Sequence, residues 1–526
     1  MATRGVIRIG LAVIVAAVAM GVGALAAGKW EHKPSPAERG ALAAITPASL
    51  QAHLSFLSAD SLEGRGSGSF GLDVAADYIA AQFRRAGLKA VGDDGYFQTT
   101  PRTRLTPTID GYMCRISVEG RIVDVPSRQF ALVASPGRNA PAVRGLRIDD
   151  APVIKVPFGG QFPEKAANAA GAVVLTEIPA LPTGRAERSA FIARVQDFLA
   201  RISAFKPALV VDIRRDPSDA FDYFASYQLV DPRQEGRAPS GPPFVSLFGA
   251  AAAAACDALP AGPTPALFTV RLSPPAEANA PQRNVVGLLP GSDPRLTDTC
   301  VLLTAHYDGQ GTGPGPDRIW NSANDNGSGT ISVIEIAAAL ASLKTRPRRS
   351  LVFIAFHGEE NGLVGSRFYA EHPVFPLEKT VAAINIEMVG RTDDSEGDQR
   401  KRASVTGYDY SDIGEVFRLA GRQTGVTVFK HPKNSDLYFG LSDNAALALR
   451  GIPAHTVCVT YQYPDLHGPA DTWQKVDYEN MALTIRMIGT TLLILAGSED
   501  EPRWDPASTT ASRYLEAWKK LRETAK

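Results

Sequence analysis

Two neighbouring glutamates, Glu359 and Glu360, follow an apolar run in the stretch FIAFHGEENGLVGS, residues 353–366. Successive side chains along an extended segment point to opposite sides, so the two carboxylates need not compete for one position. A carboxylate can bind a metal ion or act as a general base. Glycines in the same stretch permit a tight turn beside such a site. The pair therefore predicts two adjacent side chains with separate chemical roles.

Other polar side chains also follow strand-like runs along the second half of the chain. They are His306, Asp308, Asp325, Glu387, His467 and Asp471. In α/β sheets, side chains gather at the carboxyl ends of the strands. Imidazoles and carboxylates together suit zinc. Glu387 lies inside the apolar run VAAINIEMV, where an acid is costly to bury unless it is paired or bound to metal.

The remaining histidines are poorer candidates among the 8 in the chain. We interpret His32, His53, His372 and His431 as surface or capping residues, His455 as a core residue and His357 as a non-ligand. This leaves His306 and His467 as the expected ligand pair.

Five motifs in order carry a resemblance to a known family. They are AHYDG, NDNGSG, GEENGLVGS, NIEMVGR and HGPADTW. Together they resemble the co-catalytic di-zinc aminopeptidase family, which includes secreted bacterial leucyl aminopeptidases and glutamate carboxypeptidase. The similarity covers about residues 45–97 and 284–497, and the segment between them resembles the protease-associated insert of that family.

The resemblance implies a role for each matching residue. It implies two Zn²⁺ per chain, with Asp325 bridging them. His306 and Glu387 complete one metal, and Glu360 and His467 complete the other. Asp308 orients His306, as ligand histidines usually require, and Asp471 is expected to act similarly near His467.

Glu387 departs from the family, in which many members carry Asp at this position. The extra methylene moves the carboxylate outward by about one bond length, which can change denticity or metal preference. We retain Glu387 as a ligand.

Hydrolysis is the chemistry that this constellation predicts. Two metals about 3.5 to 4 Å apart can share a water, lower its pKa and polarise a scissile carbonyl. Glu359 is the unassigned acid, so we predict it as the general base, which returns the proton to the leaving amine.

An aminopeptidase acting on peptides is the leading prediction, with other readings open. A carboxypeptidase, a dipeptidase or a glutaminyl cyclase can be built on a similar scaffold. A receptor-like ectodomain without catalysis is disfavoured, because the expected ligands and base are all present.

Composition and the N-terminus restrict partners and location. Lys+Arg and Asp+Glu are equal at 55 each, which gives no general attraction for nucleic acid. The basic run KTRPRRS is accordingly interpreted as a solvated turn.

Residues 1–27 combine arginines, an apolar stretch and an A-x-A pattern, which predicts an export signal or a retained anchor. The expected location is periplasmic or extracellular.

The predicted fold class is α/β, a three-layer zinc-exopeptidase fold with a mixed, largely parallel central sheet, plus an inserted β-rich protease-associated domain. Fully apolar strands alternating with helices indicate a sheet covered on both faces. The expected boundaries are residues 40–103 and 276–500 for the peptidase domain, 104–275 for the insert and 501–526 for a C-terminal helix.

Three smaller features receive structural interpretations. The segment SLEGRGSG lacks the Lys-Ser/Thr ending of a P-loop and is expected to form a turn at the domain edge. Ser442 and Asp443 match a family stretch near the site, although capping of the following helix is a sufficient explanation. The cysteines Cys114, Cys256, Cys300 and Cys458 contain no C-x-x-C pair, and their disulfide pairing is left open.

Overall fold

The structure is a computed structural model of the 526-residue chain. It describes residues 30, 33–133, 144–160, 170–180, 182, 185–216, 222–234, 241–313 and 315–523. The predicted signal or anchor, residues 1–27, lies outside the described residues.

Helices and strands are numbered separately in chain order. The helices are α1 Pro36–Ala43, α2 Pro47–Leu57, α3 Phe70–Arg85, α4 Arg185–Ala204, α5 Ala250–Asp257, α6 Ser328–Ala341, α7 Val364–Glu371, α8 Ile413–Thr424, α9 Asn434–Leu437, α10 Asn444–Ala448, α11 Tyr478–Gly497 and α12 Ser512–Glu523. The strands are β1 Lys89–Ala90, β2 Phe97–Thr100, β3 Thr103–Thr106, β4 Met113–Val118, β5 Arg121–Asp124, β6 Phe130–Val133, β7 Leu146–Lys155, β8 Val173–Thr176, β9 Leu209–Arg214, β10 Gln228–Val230, β11 Phe244–Phe248, β12 Gly262–Leu272, β13 Ala276–Asn279, β14 Gln282–Leu289, β15 Cys300–His306, β16 Gly311–Thr312, β17 Ile319–Trp320, β18 Ser350–Phe356, β19 Thr380–Ile386, β20 Asp393–Asp394, β21 Gly397–Asp398, β22 Arg402–Val405, β23 Thr427–Phe429 and β24 Ala454–Cys458.

The chain forms two compact units. The first contains the residues up to Thr100 and those from Gln282 onward, and the second is Pro101–Pro281. A 9-stranded sheet with the order β1-β14-β18-β15-β19-β24-β22-β23, and with β2 also paired to β14, organises the first unit. Its centre is parallel, because β15 pairs in parallel with β18 and β19, and β19 with β24. This mixed sheet confirms the predicted α/β class.

Two cores cover opposite faces of this sheet. Strands β15 and β18 are buried at every position, and their side chains alternate between the cores. Leu303 and Phe353 pack with α2, α3, α6 and α11, whereas Leu302 and Ile354 pack with α7, α10 and α12. Three layers result, and the carboxyl ends of the parallel strands share one edge.

Helix α11 belongs to the first core. Its length and hydropathy would suffice to cross a membrane, and it is the one such helix among the described residues. However, 83% of its most apolar window is buried inside the protein. Its apolar surface is therefore accounted for by packing.

The second unit has its own sheets and core. An 8-stranded sheet has the order β5-β4-β12-β7-β8-β9-β11-β6, and a 3-stranded sheet has the order β10-β3-β13. Helices α4 and α5 pack against the larger sheet. The identity of this unit as a protease-associated domain stays a prediction. All four cysteines of the chain are buried free thiols.

Candidate metal centre

His306 ends strand β15 and is only 1% exposed. Its Nδ1 lies 3.2 Å from the backbone oxygen of Asp308 and 3.5 Å from the Asp308 carboxylate. A donor at Nδ1 leaves Nε2 as the lone-pair nitrogen of the neutral ring. This nitrogen lies 3.4 Å from Asp325, 3.8 Å from Glu387 and 4.0 Å from Glu359. His306 therefore presents Nε2 to three carboxylates.

Asp325 stands between the two predicted histidine ligands. One carboxylate oxygen, Oδ1, faces His306, and the other, Oδ2, lies 3.0 Å from Nε2 of His467. The turn that holds Asp325 is fixed by Asp471, which accepts hydrogen bonds from the backbone amides of Asn324 and Asp325 at 3.0 and 3.1 Å. Asp471 thus acts on the Asp325 turn, rather than on His467 as the sequence analysis expected.

The two neighbouring glutamates diverge at the turn after β18. The backbone amide of Glu359 donates to one oxygen of Asp308 at 3.1 Å, and that of Glu360 donates to the other at 3.2 Å. Glu359 faces His306, whereas Glu360 lies 3.6 Å from Nε2 of His467. One aspartate, Asp308, therefore positions both glutamates as well as His306.

Glu387 follows strand β19 and meets Ser442. The Ser442 hydroxyl donates to Oε1 of Glu387 and accepts from Nδ2 of Asn385 at 2.7 Å. Helix α10 has Asp443 at its N-cap, but no side-chain hydrogen bond caps it. The interpretation of Ser442 and Asp443 as helix caps is therefore wrong, because Ser442 serves the Glu387 carboxylate instead.

The residues expected to bind metal, together with Glu359, form two groups of three. Within each group the donor atoms lie within 4.8 Å of one another. The groups are His306, Glu359 and Glu387, and Asp325, Glu360 and His467. The structure thus brings together every residue expected to bind metal, and it places the expected base, Glu359, in the first group.

Three other histidines have partners of their own. His455 lies 2.7 Å from the Ser411 hydroxyl and 2.8 Å from the Thr406 carbonyl, which confirms the core interpretation. The Nδ1 of His431 accepts a hydrogen bond from the backbone amide of Asn434 at 3.0 Å, as the capping interpretation expects. His53 and His431 are nevertheless both largely buried, unlike surface residues, and pair with acids at 3.1 Å. Their partners are Glu335 and Glu396.

The crowded carboxylates perturb one another. Burial raises the pKa of Glu359 well above its usual value, and that of Glu387 to about 8. Burial and the Asp325 charge raise the pKa of Glu360 to about 7. Burial also acts on Asp325, but the neighbouring imidazoles of His306 and His467 outweigh it and hold the Asp325 pKa below its usual range. The site therefore collects negative charge that only a proton or another cation can balance.

Imidazoles and carboxylates that converge at the carboxyl edge of a doubly covered parallel sheet form the arrangement expected of a metallohydrolase. Residues 284–492, which include every residue of the two groups, match the sequence profile of Peptidase family M28. The match confirms the family resemblance seen in the five motifs.

Known proteins resemble the chain over different lengths. It is 36% identical to Aminopeptidase YwaD of Bacillus subtilis over 116 residues, which are 22% of the chain and 23% of that relative. The chain therefore spans about a quarter of this curated relative's length.

Two solved structures share the fold over most of their length. The aminopeptidase from Aneurinibacillus sp. strain AM-1 has a TM-score of 0.56 at 18% identity, covering 90% of this chain and 98% of that one. BSAP, a zinc aminopeptidase from Bacillus subtilis, has a TM-score of 0.51 at 20% identity, covering 85% and 94%.

Proposed function

We propose that the protein is an exported, zinc-dependent aminopeptidase that removes N-terminal residues from peptides. The observation that carries this proposal is the geometry of Asp325. Its two carboxylate oxygens face different histidines, His306 at 3.4 Å and His467 at 3.0 Å. A carboxylate held in this way is suited to bridge two cations.

The residues present fit a pair of zinc ions. The donors are imidazole and carboxylate, which zinc prefers when thiolates are absent from the set. The buried oxygen Oε1 of Glu360 has no hydrogen-bond partner among the described side chains. A bound cation would coordinate this oxygen. His306, Asp325 and Glu387 would hold one ion, and Asp325, Glu360 and His467 the other.

When bound, such ions supply Lewis acidity and lower the pKa of a water molecule. Glu359 takes the role of general base, because its carboxylate lies in the first group, 4.0 Å from His306, and no ion needs it as a ligand in this arrangement. It accepts the proton of the attacking water and returns it to the leaving amine. Asp308 keeps Glu359 and Glu360 in separate positions through their backbone amides.

The comparisons favour an aminopeptidase over other activities on this fold. Aminopeptidase YwaD is named an aminopeptidase, and so are the two solved structures with the same fold. BSAP is described as a zinc aminopeptidase, which supports zinc here.

A peptide panel tests the activity. Purified, zinc-loaded protein would be given peptides with free N-termini, peptides with blocked N-termini and peptides with free C-terminal acids. We expect cleavage only where the N-terminus is free. Release of C-terminal residues from blocked peptides would instead indicate a carboxypeptidase. Cyclisation of N-terminal glutamine with one zinc per chain would indicate a glutaminyl cyclase.

Export rests on the residue pattern of the first 27 positions. N-terminal sequencing of protein recovered from outside the cytoplasm would test it. A new N-terminus just after the A-x-A pattern of residues 24–26 is the expected result. An intact Met1 in a membrane fraction would indicate a retained anchor instead.

A further inference from the structure

The glycine-rich segment SLEGRGSG forms a partly buried turn of the first unit, in which Ser61 and Glu63 stay exposed. Arg65 is only 1% exposed, and Leu62 and Gly64 beside it are also buried. Glu63, Gly64 and Arg65 all have left-handed backbone conformations. A Cβ on Gly64 would lie 2.3 Å from the Gly311 oxygen, so only glycine fits this close crossing.

The guanidinium of Arg65 is surrounded by backbone carbonyl oxygens. Its Nε donates to Tyr307 at 2.8 Å, Nη1 donates to Asn321 at 2.9 Å, and Nη2 donates to Ser322 at 2.8 Å. Nη1 also donates to Leu57 in helix α2. In return, the Arg65 carbonyl accepts a hydrogen bond from the Gly309 amide at 3.2 Å. A planar fork of five donors is the side chain suited to such a set of acceptors.

The carbonyls of Tyr307, Asn321 and Ser322 belong to two of the segments that carry metal-site residues. Tyr307 lies between His306 and Asp308, whereas Asn321 and Ser322 open the turn that leads to Asp325. The segments are separated in the chain, and Arg65 is hydrogen-bonded to both. Arg65 therefore holds the segment of His306 against the turn of Asp325.

The charge of Arg65 also matters to the site. Burial lowers its pKa to about 10, while the charges of Asp308, Asp471, Asp325 and Glu360 raise it. A buried cation without a nearby negative charge is strongly disfavoured. The acidic site thus stabilises the arginine, and the arginine reduces the repulsion among the carboxylates.

We propose that Arg65 is a positioning residue of the metal centre, one that fixes the His306–Asp308 segment against the Asp325 turn. The proposal rests on the proposed function, because it assumes that these residues hold metal. It adds a residue outside the family-matched segment, residues 284–492, to the determinants of the site.

Arg349 provides a matched control. It is also 1% exposed, and it also donates to backbone carbonyls, Ser498 at 3.2 Å and Glu499 at 2.9 Å. However, it directly precedes strand β18, whereas Glu359 and Glu360 follow the opposite end of that strand. R65K and R349K therefore remove the same fork from two buried places in one unit.

The first measurement needs no metal. Hydrogen–deuterium exchange would be followed in EDTA-treated wild type, R65K and R349K. In R65K we expect at least tenfold faster exchange in residues 307–312 and 321–327, because one ammonium cannot span the separate carbonyls. In R349K these segments should exchange at the wild-type rate. Equal exchange in R65K and R349K would overturn the proposal.

The second measurement is zinc titration against a chromophoric chelator. R65K should bind zinc at least tenfold more weakly than R349K, even when both variants lose similar thermal stability. Equal zinc affinity in the two variants would show that Arg65 has only a structural role. R65Q, which avoids a buried charge, is measured in the same way if R65K does not fold. Wild type that binds no zinc would overturn the proposed function itself, whatever the exchange data show.

Discussion

Ser442 donates its hydroxyl proton to Oε1 of Glu387. The same oxygen of Ser442 accepts hydrogen bonds from Asn385 at 2.7 Å and from the Asp443 amide at 2.6 Å. With both acceptor positions used, the single proton of the hydroxyl is directed to the glutamate. Ser442 therefore fixes the carboxylate that departs from the family's usual aspartate.

Replacing Ser442 with alanine should weaken zinc binding at the site of His306 and Glu387. Loss of a hydrogen bond to a metal ligand typically costs 10- to 100-fold in affinity. Zinc competition with a chelator measures the change. Ser332→Ala is the control, because Ser332 is also buried but donates to the Ser328 carbonyl within helix α6. Equal zinc affinity in the two variants would contradict the assigned role of Ser442.

The neighbouring glutamates permit a matched pair of substitutions. Glu359→Gln should retain both zinc ions and lose turnover by about 10²- to 10⁴-fold, the range typical of a lost general base. Glu360→Gln should instead lose about one zinc per chain. Elemental analysis and peptide hydrolysis on the same preparations separate the two effects. Zinc loss in Glu359→Gln would contradict the division of roles.

Three of the motif residues, His306, Glu359 and Glu387, were predictable because they end or follow buried strands. Strands β15, β18 and β19 read as uninterrupted apolar runs, so the ends that present His306, Glu359 and Glu387 could be located from the sequence. Parallel pairing then requires these ends to meet at one edge. Asp325 and His467 lie in turns away from these strand ends, and their roles were expected from the family resemblance instead.

Arg65 and Ser442 could not be assigned in this way. Arg65 acts through carbonyls about 240 to 260 positions away, at Tyr307, Asn321 and Ser322, and backbone carbonyls leave no mark in the sequence. Ser442 precedes a short helix, where a cap is the ordinary interpretation. Only the position of Glu387 in three dimensions shows its other partner.

His467 is the most exposed of the expected ligands, at 49% of its side chain. Its substitution should therefore disturb the core little. His467→Ala should lose zinc from the group of Asp325 and Glu360 and keep the thermal stability of the metal-free protein. Calorimetric zinc titration would show one binding event instead of two. His372→Ala is the control, because His372 is exposed and its imidazole stacks on the Phe368 ring and lies 3.2 Å from the Phe368 carbonyl.

The acidic groups of the site predict an unusual pH dependence for the metal-free protein. Burial raises the pKa of Glu360 to about 7 and that of Glu387 to about 8. A hydrogen bond to Asp325 raises the pKa of His467 to about 9. These groups bind more protons when folded than when unfolded, so their contribution to stability is lost as pH rises through the folded pKa values.

One histidine acts in the opposite sense within a lower range. Burial lowers the pKa of His455 to about 4, so its contribution to stability increases as pH rises towards 6.5. Above pH 6.5 the contribution of His455 no longer changes, and the site groups lower the stability as pH rises. We expect the unfolding temperature of EDTA-treated protein to fall between about pH 6.5 and 8, with a loss of about 1.4 kcal/mol for each unit of pKa shift that is crossed.

Zinc should reverse the sign of this dependence. Metal ligands must be deprotonated, so zinc affinity and the stabilisation that zinc gives both increase with pH. Thermal unfolding with EDTA and with excess zinc, from pH 6.5 to 8, should therefore give slopes of opposite sign. Glu387→Gln should flatten the metal-free slope, because the amide does not titrate. A metal-free unfolding temperature that rises over this range would show that the carboxylates are not crowded as the structure places them.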